Sequence, residues 1–191
     1  MKVERRTGRL RGAVYRPSPF CDRRPLGIDL SLLVVHGISL PAGQFTGNWV
    51  ERLFLGRLVT GAPSELADLE GVRVSAHLFI RRCGKVIQFV SFRHRAWHAG
   101  VSEFQGRTQC NDFSIGVELE GTDTVSYTAS QYERLVTISR LLMHAYPAIT
   151  PDRIVGHCDI APGRKTDPGE SFDWQRLRDG SGSLIGSAGQ L

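Results

Sequence analysis

The sequence is short of several things, and each shortage removes a class of protein. No apolar run approaches the ~20 residues that cross a bilayer as a helix, so a membrane partner is not expected. Lysine is nearly absent: Lys2, Lys85 and Lys165 stand in a chain whose cations are otherwise arginines. Cys21, Cys83, Cys110 and Cys158 are far apart and form no C-x-x-C pair, so they spell neither a zinc knuckle nor a redox motif, and reduced thiols are expected. No repeat or low-complexity linker interrupts residues 25–178. Between Met1 and Pro19 no apolar stretch of ~7–15 residues follows the charges and no small-residue cleavage site appears, so a cytoplasmic protein is expected.

With 191 residues, 41% of them hydrophobic, the chain suits one domain whose core needs no staple. The formal charge is +5, which in a uniform molecule would invite polyanions. It is not uniform. Residues 1–24 hold eight Lys and Arg against Glu4 and Asp22, a local +6, and the remaining 167 residues sum to −1. The expectation is a basic N-terminal arm (1–24) on a near-neutral body (25–178), with a Gly- and Ser-rich tail (179–191) and no nucleic-acid partner. A nucleic-acid protein using that arm is the competing class, and it predicts steeply salt-dependent affinity.

Patterning separates the elements. Leu32-Leu-Val-Val-His36 reads as a buried strand, and residues 44–56 carry Trp49, Val50, Leu53 and Phe54 at helical spacing before Gly56. Residues 57–71 read as a loop; Val74–Ile80 and Val86–Val90 read as strands. From Phe113 to Leu119 apolar residues alternate with Ser114, Gly116 and Glu118, so Glu118 and Glu120 share the face opposite the apolar set. Thr128-Ala-Ser-Gln131 has the form of a capping box, and the helix it opens stops before Pro147. Residues 172–178 read as a last helical turn or two.

Chemistry concentrates at the strand ends. His36 and His157 each follow a short apolar run, and Asp167 lies ten residues beyond His157 in the turn Arg164-Lys-Thr-Asp-Pro-Gly169. Two imidazoles and one carboxylate match an open zinc site with water as the fourth ligand. The same residues also suit packing histidines and a turn-forming aspartate. Glu118 is a candidate proton acceptor or a merely solvated strand residue, and Lys165 a candidate oxyanion partner or a surface lysine.

Four segments occur in order: Leu32–His36; Arg95-Ala-Trp-His-Ala-Gly100; Cys110-Asn-Asp-Phe-Ser-Ile-Gly-Val-Glu-Leu-Glu-Gly-Thr-Asp123; and Gly156-His-Cys-Asp-Ile-Ala-Pro-Gly-Arg-Lys-Thr-Asp-Pro-Gly169. Together they resemble the AmpD family, cytoplasmic zinc-dependent 1,6-anhydro-N-acetylmuramyl-L-alanine amidases of bacterial cell-wall recycling. The resemblance runs from about Tyr15 to Arg178. It implies an α/β domain with a central mixed sheet flanked by helices, as in peptidoglycan-recognition proteins. It further implies one zinc ion on His36, His157 and Asp167, and Glu118 and Lys165 as the catalytic pair. Hydrolysis of the amide between the lactyl group of anhydromuramic acid and L-alanine of the stem peptide follows, with an anhydromuropeptide as the partner and a monomer expected. Arg73, His77, Trp97, His98 and Arg107 are implied around the substrate, although packing serves His77 and a loop anchor serves Trp97 and His98 equally well. Cys158, next to a ligand, reads as packing.

The chain departs from the family pattern in three places: Gly37 stands where Asn is usual, Glu65 and Leu66 where a Tyr-Phe pair is usual, and Gln109 where Arg is frequent. None touches the ligand set; all bear on substrate contacts. Two further readings remain at this level: a muropeptide-binding module without catalysis, against which the presence of Asp167 counts, and an exported amidase acting on intact peptidoglycan.

Overall fold

Leu32–Ile38 and Ser114–Glu120, the two most regular runs of the sequence, lie side by side in parallel at the centre of a six-stranded sheet. The computed structural model describes residues 1–58 and 62–182. In chain order the strands are β1 (Val14–Tyr15), β2 (Leu32–Ile38), β3 (Leu78–Ile80), β4 (Val86–Gln88), β5 (Ser114–Glu120) and β6 (Ile154–Gly156). Their spatial order is β6-β2-β5-β3-β4-β1. Only β3 and β4 pair antiparallel, so the sheet is mixed. The helices are α1 (Trp49–Phe54), α2 (Ala129–Ala145), the single turn α3 (His157–Ile160) and α4 (Trp174–Gly182). The result is the expected α/β domain.

The period-two alternation sorts the central strands onto two faces. Leu33 and Val35 of β2 and Ile115, Val117 and Leu119 of β5 pack against Leu135, Ile138 and Leu142 of α2. Burying each such side chain contributes about 1.5–3 kcal/mol. The other face is shared between two smaller clusters. Val50, Leu53 and Phe54 of α1 cover Phe79 and Ile87 at one end, and Leu32 and Val34 meet Ala99, Cys110, Phe113 and Ile160 at the other. Every residue of β5 is buried, because both faces are covered.

The capping box forms as expected. Thr128 Oγ1 accepts from the Gln131 amide at 3.2 Å, and Gln131 Oε1 accepts from the Thr128 amide at 3.0 Å. The Gln131 side-chain amide then donates to the carbonyls of Ile80 and Glu120, tying α2 to the ends of β3 and β5. Helix α1 is shorter than its apolar pattern, because Gly47 at φ +80° sets the chain outside helical space just before it. The loop expected over residues 57–71 contains a 3₁₀ turn at Ser64–Leu69, where Leu66 is buried; its residues 59–61 lie outside the described residues.

The domain boundaries need correction. Residues 1–24 are not an arm. Lys2–Glu4 and Arg9–Arg11 form a hairpin that delivers Leu10 to the main core, β1 closes the sheet edge against β4, and Cys21–Arg23 pairs with His94–Ala96. Arg24 donates to the carbonyls of Phe92, Asn111, Asp112 and Ser114 at 2.8–3.2 Å. Most of the segment's cations are exposed, so charge foretold where these side chains lie but not that the backbone carrying them is built into the domain. At the other end α4 continues to Gly182, past the expected boundary at 178, and the rest of the expected tail (183–191) lies outside the described residues. Among the described residues no helix is long and apolar enough to cross a membrane, and the four cysteines are unpaired.

Candidate metal centre and active site

Parallel pairing brings the chemistry to one level. In register, His36 of β2 lies directly across from Glu118 of β5, so both side chains leave the same face. Gly156 of β6 pairs with Val35, which sets His157, the next residue, beside His36. The site therefore stands at the carboxyl ends of three adjacent parallel strands, the usual place for function in such sheets. Asp167 reaches it from the turn after α3, held in place by a hydrogen bond from the Cys158 amide to its carbonyl at 3.0 Å.

His36, His157 and Asp167 offer ligand atoms that all lie within 4.8 Å of one another. The Nδ1 atoms of both histidines are 3.1 Å from Asp167 carboxylate oxygens. The donor set fits a zinc ion: two borderline-soft nitrogens and one oxygen, three ligands in all, with the tetrahedron left open. Its electrostatics suit a cation too. Burial holds the His36 imidazole down to about 4, against the raising effect of Asp167, so it is neutral at pH 7. Burial alone would raise the Asp167 carboxyl, but hydrogen bonds to His157 and His36 outweigh it and hold the group well below the usual carboxylate range. A neutral imidazole and an ionised carboxylate are the ligating forms.

Glu118 is 8% exposed, and its Oε2 has no hydrogen-bond partner. Burial raises its carboxyl well above the ordinary value, and the Asp167 charge adds to this; the Lys165 ammonium works against it. Glu120, on the same face two residues on, is the opposite case. It accepts from Arg81 Nη2 at 3.0 Å and from the Arg82 amide at 2.9 Å. Of the two carboxylates only Glu118 is free to exchange a proton. Lys165 is exposed on the same turn as Asp167, close enough for its charge to act on both Glu118 and His36.

The residues expected around the substrate divide. Arg73 is exposed, with its guanidinium 5.4 Å above the Trp97 ring and 5.9 Å above Phe20, forming a cationic aromatic shelf. Arg107 is exposed on the Glu103–Thr108 hairpin and lies 3.9 Å above Phe113. His77 does not line a cleft: it has no exposed surface, its Nδ1 accepts from the Gly116 amide at 3.0 Å, and its Nε2 meets the His94 carbonyl at 3.0 Å. Burial, then the Arg24 charge, holds its imidazole neutral. It ties the sheet to the 94–96 strand, the packing alternative. His98 is spent on His36, with 2.9 Å between their ring nitrogens.

The Gly37 departure has a steric cause. A Cβ at residue 37 would collide with the Tyr127 hydroxyl, which donates to the Pro168 carbonyl at 2.9 Å. Tyr127 fills the space a longer side chain would need and braces the residue after Asp167. Tyr127, Ser114, Asn111 and the Ala99 carbonyl escaped notice in the sequence. Three of the four sit inside segments that carry the family resemblance, so a signal was present without a residue-level reason to read it.

Between the 100–103 loop, residues 108–109 and the end of α3 lies a cleft of about 510 Å³, with Arg164 at its rim. Ala99, whose carbonyl lies 3.2 Å from His157 Nε2, immediately precedes its lining residue Gly100.

The comparisons agree with this geometry. The family model described as N-acetylmuramoyl-L-alanine amidase matches residues 28–170. The chain is 56% identical over 162 residues to the 1,6-anhydro-N-acetylmuramyl-L-alanine amidase AmpD of Salmonella typhimurium (strain SL1344), covering 85% of this chain and 86% of that protein. A crystal structure of a selenomethionine derivative of AmpD superposes with a TM-score of 0.90 at 52% identity, covering 94% of this chain and 99% of that one. The Escherichia coli amidase AmiD, solved with anhydro-N-acetylmuramic acid-L-Ala-D-γ-Glu-L-Lys, is 28% identical with a TM-score of 0.60, covering 83% of this chain and 60% of that one. A family model spanning the three convergent candidate ligands, and AmpD relatives matched over most of their lengths, leave one conclusion: the chain belongs to the N-acetylmuramoyl-L-alanine amidase family and is a hydrolase of amide bonds.

Proposed function

We propose that this enzyme is a zinc-dependent 1,6-anhydro-N-acetylmuramyl-L-alanine amidase that works in the cytoplasm on muropeptide fragments being recycled. The observation that carries the reading is the convergence of His36, His157 and Asp167 beside a buried, unpartnered Glu118. The names of the relatives, and the ligand of AmiD, support the anhydro sugar as substrate.

His36, His157 and Asp167 would hold the ion, which when bound supplies Lewis acidity for a water and for the scissile carbonyl. Glu118 takes a proton from the attacking water. Its burial favours the protonated form, so the proton is held at the carboxyl until the alanine nitrogen needs it. The hydroxyl adds to the lactyl carbonyl carbon, the C–N bond breaks, and the amine leaves with that proton. The Lys165 ammonium stabilises negative charge on the carbonyl oxygen, a kind of contact whose removal typically costs ~10²–10³ in rate. Arg73 and Arg107 are the cations placed for substrate carboxylates, and the cleft beside Arg164 suits the stem peptide. Because water is the attacking group, no enzyme nucleophile is needed.

The test is one assay series on purified protein, with anhydromuropeptide, reduced muropeptide and intact sacculi as substrates, each with and without a zinc chelator. Chelator-sensitive release of peptide from anhydromuropeptide is expected. Cleavage of sacculi in its place would move the enzyme to intact peptidoglycan, and turnover unaffected by full removal of metal would sink the zinc reading.

A further inference from the structure

Each histidine of the metal triad turns its second ring nitrogen toward the same stretch of chain. His36 Nε2 lies 2.9 Å from His98 Nδ1, and His157 Nε2 lies 3.2 Å from the carbonyl oxygen of Ala99. The two acceptors are consecutive residues. We propose that His98 and Ala99 form an outer brace fixing ring orientation and tautomer in both histidines, and that Asn111 is the positioning residue holding the brace. The inference rests on the zinc reading above.

Proton placement gives the brace its direction. A ligating nitrogen presents a lone pair, and on both rings the nitrogen facing Asp167 is Nδ1. A neutral imidazole carries one N–H, which then sits on Nε2 and must be donated. For His157 the Ala99 carbonyl can only accept. For His36 the acceptor is another imidazole, so His98 must offer the Nδ1 lone pair and carry its own proton on Nε2. Ser114 Oγ stands 3.1 Å from that nitrogen and receives it. The chain from His36 through His98 to Ser114 thus has one consistent sense.

Space is reserved for this arrangement. A Cβ at Gly116 of β5 would come within 2.5–2.8 Å of three atoms of the His98 ring, so only glycine leaves the ring where it is. The backbone of the brace is also held. Asn111 Oδ1 accepts from the His98 amide at 3.2 Å and from the Ala99 amide at 2.9 Å, and Arg164 Nη2 donates to the Ala99 carbonyl at 2.7 Å. One asparagine side chain therefore sets the position of the acceptors for both ligands, although it touches neither.

The experiment measures zinc affinity of the full chain by chelator competition, with the melting temperature of metal-free protein and the visible spectrum of cobalt-substituted protein alongside. His98→Leu removes the acceptor, and its zinc affinity is expected to fall ~10–100-fold with an altered cobalt spectrum. His98→Asn puts Oδ1 where Nδ1 stood, and it is expected to recover most of that loss. Asn111→Ala leaves His98 and every ligand in place, and an affinity several-fold below wild type is expected; this variant carries the test if His98→Leu does not fold. Wild-type affinity in His98→Leu or Asn111→Ala, or an Asn variant as weak as Leu, overturns the brace while leaving the zinc reading intact. A wild-type protein that binds no zinc overturns both.

Discussion

Strand β5 presents two faces made from alternate residues of one seven-residue run, and they do different work. Ile115, Val117 and Leu119 face α2 and bury only hydrocarbon. Ser114, Gly116 and Glu118 face the other way, where the sheet meets His98, His36 and Asp167. The first face is stable because nothing on it needs a partner. The second holds polar groups whose burial is costly unless each is paired, and all but one are. The exception, Glu118 Oε2, is left without a partner beside the candidate metal ligands, as the proposed reaction would need. The lesson is that stability and function divide at the scale of single residues within a strand, so substitutions one position apart should fail in different ways.

The largest expected effect is on the polar face. Asp167→Ala or His36→Ala should abolish stoichiometric zinc and drop turnover to background, as read by metal analysis and amidase assay of the same preparations. Next, Glu118→Gln should keep zinc while losing about 10²–10⁴ in turnover; full zinc with unchanged rate would place the base elsewhere. Leu135→Ala, against the apolar face, should invert the pattern. About 2–5 kcal/mol of stability should be lost in denaturant titration, with zinc affinity near that of wild type.

The smallest effect is pH dependence in metal-free protein. His36 is held down to about 4 by burial, below the ~6.5 of an unfolded chain. The unfolded state therefore binds the proton first as pH falls, and stability is full above pH ~6.5 and declines toward pH 4. His77 and His98, also held down by burial, add to the same slope. Melting temperatures across that window should fall with pH, and less steeply in His36→Gln; a flat profile would mean these rings charge in the fold.

Periodicity made both faces of β5 legible, and the two strand-end histidines with the downstream Asp167, read beside the family resemblance, pointed to the candidate metal site. Only the family resemblance told Glu118 from Glu120; alternation put both on one face, and Arg81 and Arg82, which satisfy Glu120, are nearly forty residues away. His77 and His98 stayed open between lining the cleft and packing for the same reason: their partners, Gly116 and His36, come from other strands. The basic N-terminal segment misled most. Counting charges does not show that Arg24 spends its donors on carbonyls, nor that the two-residue β1 closes the sheet. The pattern of Thr128 and Gln131 was legible because a capping box is local.

The contact between His36 and Asp167 joins residues 131 positions apart. A growing chain that has presented His36, and even the whole of β5, still lacks the carboxylate until residue 167 is made. An ion held by these residues, as proposed, would therefore be loaded late, after the strands between them have found one another. A fragment that ends before Asp167 should accordingly bind zinc more weakly than the full chain.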